Sequence, residues 1–164
     1  MIGNLALGAA IISATVLIHT VGLIGVTRLM NYVRAWFRLH RHEAGRTVAM
    51  IATVLALFVV HSVEIWLWAL AYLTLGALSN IDTAIYFSIT TFATIGYGDV
   101  VLSHDWRLLG SLEGISGLIL IGWSIAYLVA ASTRHGPLLV GEHFDPARRS
   151  ANGGQNAGDE GQLD

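Results

Sequence analysis

The sequence predicts an all-α membrane protein with three transmembrane helices and one short re-entrant helix followed by extended backbone. Composition is the first reason: 54% of residues are hydrophobic and only 12% are charged, too apolar for an ordinary soluble domain. Span length is the second. Three apolar stretches, 4–27, 47–76 and 108–133, each exceed the roughly 20 residues that cross a hydrocarbon core of about 30 Å. The third is the run 81–92 between the last two stretches, which is too short to span. Without cysteine the chain can form neither a disulfide framework nor a thiolate metal site.

The first stretch carries no charge, only His19. It lacks a basic segment ahead of it and is too long for a signal peptide, so it reads as a retained span. All nine basic residues are arginines, and their distribution sets orientation. Arg28, Arg34, Arg38, Arg41 and Arg46 lie between the first two spans, and Arg134, Arg148 and Arg149 follow the third. Residues 77–106 hold Asp82, Asp99 and Asp105 but no Arg. The first loop and the C-terminus are therefore expected in the cytoplasm, with the N-terminus and the 77–106 segment outside. This is the arrangement of a multi-pass protein of a bacterial inner or plasma membrane.

Segment 28–46 reads as a cytoplasmic amphipathic helix in the headgroup plane. Leu29, Met30, Val33, Trp36, Phe37 and His40 fall on one face, and Arg34, Arg38 and Arg41 on an adjacent arc. It would place its arginines near anionic lipid headgroups and end at Gly45. A basic loop that merely fixes topology is the alternative. Ser79 and Asp82 have the spacing of a capping box ahead of the 81–92 helix. That helix would descend halfway and point the negative end of its dipole toward the membrane interior, favouring a cation there. Irregular backbone after it survives at membrane depth only if buried in protein or lining a water-filled path. Residues 134–164 are a cytoplasmic tail, Gly-, Asn-, Asp- and Gln-rich after Gly141 and expected to be largely disordered.

The run Thr94-Ile95-Gly96-Tyr97-Gly98-Asp99 has the residue types of an ion filter. Gly96 and Gly98 reach positive φ without a Cβ clash, so that successive carbonyls can aim at one axis. Rings of such carbonyls replace the hydration shell of potassium. Together with Tyr86-Phe87-Ser88-Ile89-Thr90-Thr91-Phe92-Ala93, the run resembles the pore region of the potassium channel family. The likeness covers about 47–133, as outer helix 47–76, pore helix 81–92, filter 94–98 and inner helix 107–133, with one additional N-terminal span. It implies potassium coordination by Thr94, Ile95, Gly96, Tyr97 and Gly98, with K+ sites at the first four. It also implies that Asp99 bonds behind the filter with Tyr86 as a partner, and that Thr91 and Ala93 lie at the cavity end of the pore helix. The family often has threonine at the Ala93 position. Its inner-helix hinge glycine aligns with Leu118, which leaves Gly114, Gly117 and Gly122 as gating hinge candidates. One filter per chain requires four chains around an axis, a homotetramer.

Polar groups inside the spans are functional candidates by default. Glu113 either supports the filter from behind and sets its conductive state, or pairs to hold helices together. His61 and Glu64, one helical turn apart, can hydrogen-bond to each other. They are read as packing polarity, as candidates for proton sensing, or as part of a metal site that needs further ligands. His19 reads as a packing residue. The arginines lie outside the spans, against a voltage sensor, and no glycine-rich nucleotide motif follows the inner helix. The expected function is a potassium-selective channel conducting passively through a tetrameric pore, without a voltage sensor. The alternatives are a weakly selective cation channel and a non-conducting, channel-like regulatory subunit. No enzymatic activity, nucleic-acid partner or cofactor beyond potassium ions in the filter is expected.

Overall fold

A computed structural model describes residues 2–37 and 43–135, which form four helices. They are α1 (Ile2–Phe37), α2 (Glu43–Thr74), α3 (Ile81–Phe92) and α4 (Arg107–His135). Among the described residues there is no strand. Three segments are long and apolar enough to cross a membrane, Gly3–Tyr32, Thr47–Thr74 and Arg107–Ser132. They coincide with the three apolar stretches of the sequence. The fourth helix, α3, occupies the expected 81–92 segment and packs between α2 and α4.

Three local expectations need correction. The N-cap of α3 is Asn80, not Ser79: its backbone is extended and its side-chain oxygen accepts from the Asp82 N–H at 2.7 Å. A short amide side chain next to the first helical residue satisfies a free N–H directly, so the capping box from Ser79 is not used. Asp82 nevertheless lies in the first turn, at the positive end of the dipole. Gly45 ends no helix, since it lies inside α2, which begins at Glu43. Likewise α1 runs unbroken past position 28, where the sequence suggested a separate interfacial helix. Nothing between Thr27 and Phe37 breaks it, as the segment has no Gly or Pro. At 1.5 Å per residue α1 is about 54 Å long, well beyond the hydrocarbon thickness. Residues 38–42 and the 136–164 part of the tail lie outside the described residues.

The C-terminus of α2 is closed by Gly76, whose φ of 67° is open to a residue without Cβ. Gly76 N–H bonds Leu73 O at 3.1 Å and Ala77 N–H bonds Tyr72 O at 2.9 Å, the paired bonds of a Schellman motif. The turn releases the chain toward α3.

Ile11, Trp68, Tyr72, Phe87, Phe92, Leu102, Leu109 and Leu120 form the buried core where all four helices meet. The outward faces are apolar: Leu17, Phe58, Val59 and Ile119 are all more than 60% exposed in the single chain, as expected of surfaces meeting lipid or other copies. α1 rests against both α2 and α4. Its approach to α2 depends on Gly22, where a Cβ would come within 2.7 Å of Val60 Cγ2. Small residues at such crossings supply packing where lipid gives no hydrophobic drive. Thr27 Oγ1 and Tyr127 OH, 2.9 Å apart, tie α1 to α4 near the other end.

Candidate functional site

The backbone after α3 has an unusual handedness pattern. Thr94, Gly96 and Gly98 have φ of 57°, 58° and 80°, while Ile95 and Tyr97 between them keep negative φ. Thr94 is the one non-glycine residue with positive φ among those described. A β-branched residue there is strained, a cost of order 1–3 kcal/mol that the surroundings must hold in place. They do so through the end of α3. Thr94 N–H bonds Thr91 O at 2.9 Å, and Ile95 and Gly96 N–H both bond Thr90 O, at 2.8 and 3.1 Å. The amides of Thr94, Ile95 and Gly96 are thus spent on the helix. Residues 94–99 are exposed in the single chain.

Both flanks of this loop are tied. Tyr86 OH donates to Asp99 Oδ2 at 2.7 Å, joining the end of the loop to α3, 13 residues earlier. This hydrogen bond holds the Tyr86 phenol above its usual pKa, so the hydroxyl remains a donor throughout the neutral range. Behind α3, Glu113 of α4 is fully buried. Its Oε2 accepts from Tyr72 OH at 2.6 Å and its Oε1 pairs with Ser88 Oγ at 2.5 Å. Ser88 Oγ also donates to Ile65 O at 3.0 Å. The Glu113 carboxyl therefore joins α2, α3 and α4 at one point. The sequence singled out Glu113 but gave no signal for Tyr72 or Ser88, which are common residues on other helices.

Among the three hinge candidates the contacts differ. Gly117 lies against the last turn of α3, where an added Cβ would overlap the Phe92 carbonyl. Gly114 faces Thr91 O at 3.6 Å, an ordinary contact. Gly122 has no heavy atom within 4 Å of a built Cβ. All three lie within the continuous helix α4. Gly117 thus has a packing reason for lacking a side chain, independent of any hinge.

A second polar cluster lies deeper along the spans. His61 Nδ1 and Glu64 Oε2 are 2.8 Å apart, the one-turn pair expected from their spacing. His19, read from the sequence as a packing residue, joins them: its Nδ1 is 2.9 Å from Glu64 Oε1. His61 Nε2 in turn meets Ser124 Oγ of α4 at 2.9 Å. The cluster therefore links α1, α2 and α4. His19 is separated from Glu64 by 45 residues, and no local spacing announces that contact.

The comparisons with known proteins agree with this geometry. Residues 48–134 match the family model described as ion channel, a segment that contains α3, the 94–99 loop and α4. The chain is 28% identical over 125 residues to the inward rectifier potassium channel Kirbac3.1 of Paramagnetospirillum magnetotacticum, an alignment covering 72% of this chain. It spans 42% of the length of that relative. No solved structure matches it significantly. With the family model covering more than half of its residues and a loop built on alternating positive φ, the chain is a membrane protein that belongs to the ion channel family, of the potassium-channel pore type.

Proposed function

We propose that the protein is a potassium-selective channel that conducts passively as a homotetramer, with residues 94–98 as its filter. The observation that carries this reading is the alternation of handedness at Thr94, Gly96 and Gly98 with the loop amides tied back to Thr90 and Thr91. Peptides that alternate between left- and right-handed φ can turn successive carbonyls to the same side. Four such loops facing one axis would replace the water around a dehydrated potassium ion, and repulsion between neighbouring ions would sustain throughput. Thr94 would add its hydroxyl at the inner mouth, and Asp99 would hold the outer mouth through Tyr86.

Exposure of the whole 94–99 loop in one chain supports assembly, since a lone filter strand encloses no path. The arginine distribution supports an outside N-terminus and filter and a cytoplasmic C-terminus in the cell membrane, with arginines of 28–46 near anionic headgroups. With no arginine series inside a span, gating would not depend on a voltage sensor.

Purified protein in planar bilayers, with potassium on one side and sodium on the other, tests the reading. The expected result is a reversal potential displaced toward the potassium equilibrium potential. A value near zero would replace it with a weakly selective cation channel. No current under any condition would point to a non-conducting subunit of another channel.

A further inference from the structure

Glu64 is fully buried and meets two histidines, His19 from α1 and His61 from its own helix. A carboxylate inside a span is stabilised by an offsetting positive charge. A proton on one histidine would supply that charge, with the neutral ring donating to the other carboxylate oxygen; a divalent cation supplies it instead through a lone pair from each ring. His19 is itself fully buried, and its Nε2 has no hydrogen-bond partner, so the ring is anchored at one nitrogen alone. The nitrogen open to a cation shared with Glu64 is Nδ1, which faces the carboxylate. One donor atom from each of His19, His61 and Glu64 lies within 4.8 Å of the others.

We propose that His19, His61 and Glu64 form a binding site for a zinc-type divalent transition cation that pins α1 to the pore domain. Two imidazoles and a carboxylate suit zinc, cobalt or nickel, whereas magnesium and calcium prefer sites built from oxygen alone. Three protein ligands leave one tetrahedral position for a small exogenous ligand, as in exchangeable zinc sites. Coordination through His61 Nδ1 places the ring proton on Nε2, and Ser124 Oγ is already 2.9 Å from that atom. This is the outer partner that fixes the tautomer of a metal-bound histidine. The Trp123 ring lies 5.3 Å from the His19 ring and Phe92 5.8 Å from His61, so aromatic groups cover the cluster. Each imidazole Nδ1 already lies beside a Glu64 oxygen, at 2.9 Å for His19 and 2.8 Å for His61. Tetrahedral ligands at about 2.1 Å stand about 3.4 Å apart, so the ion would push each pair slightly open while the two rings adjust around it.

The site gives the additional N-terminal span a role. Metal coordination would join α1 to α2, with Ser124 extending the link to α4. Phe92, at the base of the filter loop, borders the same cluster.

The test measures metal rather than current, so its outcome is separate from that of the channel reading. Protein without a histidine tag is prepared with His40→Gln and His42→Gln, which removes two histidines close in sequence that could compete for the metal. Zinc is titrated calorimetrically and the retained metal counted after dialysis. The expected result is one zinc per chain, with affinity falling about 100-fold in His19→Gln and about 10-fold in Ser124→Ala. Glutamine can still donate to Glu64, so His19→Gln should keep the fold, checked by its elution as the parent assembly. X-ray absorption of the zinc-loaded parent supplies a measurement that needs no variant, and two imidazoles with a carboxylate oxygen are expected. Equal zinc uptake by parent and His19→Gln, or a spectrum with fewer than two imidazoles, would overturn the site and leave the cluster as a proton-bound hydrogen-bond network.

Discussion

At the residue scale, Gly117 gives the sharpest expectation. Helix α4 passes so near the end of α3 that even a methyl at this position meets the Phe92 backbone, and backbone cannot swing aside as a side chain would. Gly117→Ala should therefore force α4 away from the pore helix and cost about 1–3 kcal/mol by overpacking. A thermal-unfolding midpoint lower than the parent's, with Gly122→Ala leaving it unchanged, checks this. Equal midpoints for both variants would show that α4 yields freely at 117 and that its glycine is there to bend. Tyr86→Phe tests the outer tie of the loop. Asp99 would lose its donor, and single-channel records should show severalfold shorter openings at the same conductance, because the path itself is unaltered. The alternation at 94, 96 and 98 was only partly legible in the sequence. Glycines at 96 and 98 announce positive φ, whereas Thr94 does not, since its left-handed backbone is imposed by hydrogen bonds to Thr90 and Thr91.

At the element scale, the spans and the half-length helix were legible because apolar length is a property of contiguous sequence. Contacts between elements were not. The cap of α3 fell to Asn80 rather than its neighbour Ser79 because the choice depends on backbone angles that two adjacent capping residues do not distinguish. The 27/28 boundary in α1 was drawn from arginine density, yet a helix continues past a change in polarity when nothing breaks its hydrogen bonds. The three-helix junction at Glu113 was half legible: an intramembrane carboxyl announces that it needs partners, but not that they are Tyr72 and Ser88. Glutamine at 113 can accept from Tyr72 through its oxygen and donate to Ser88 through its amide. Alanine can do neither and leaves the buried Tyr72 hydroxyl without a partner, at about 1–3 kcal/mol, while Ser88 keeps its bond to Ile65 O. Glu113→Gln should thus assemble normally and Glu113→Ala should lose thermal stability. If the carboxyl also sets the conductive state of the filter, Glu113→Gln will remove any dependence of open probability on pH between 5 and 8. A Glu113→Ala protein as stable as the parent would show that the junction contributes little to holding α3.

At the scale of the whole molecule, the single chain is unfinished in two different ways. Its apolar outer faces fit lipid or other copies, but the 94–99 loop fits neither lipid nor water alone, because its carbonyls need polar partners at membrane depth. In the proposed tetramer four copies would resolve this, by surrounding one ion path with their loops while turning Phe58 and its neighbours to the outside or to each other. The loop would then gain order from ions as well as from protein, since in such a filter each potassium would be held by carbonyls from all four chains. Binding to the native assembly alone stabilises it by mass action, in proportion to the logarithm of ion concentration above the dissociation constant. The tetramer in detergent should accordingly resist thermal dissociation better in potassium than in sodium at the same ionic strength. Replacing Gly96 by alanine at its positive φ should erase that difference without preventing the helices from forming. Native mass spectrometry gives the number of chains, and a melting series in the two salts gives the ion dependence. A tetramer equally stable in potassium and sodium would mean that the four loops do not form a potassium-selective site, even though they meet.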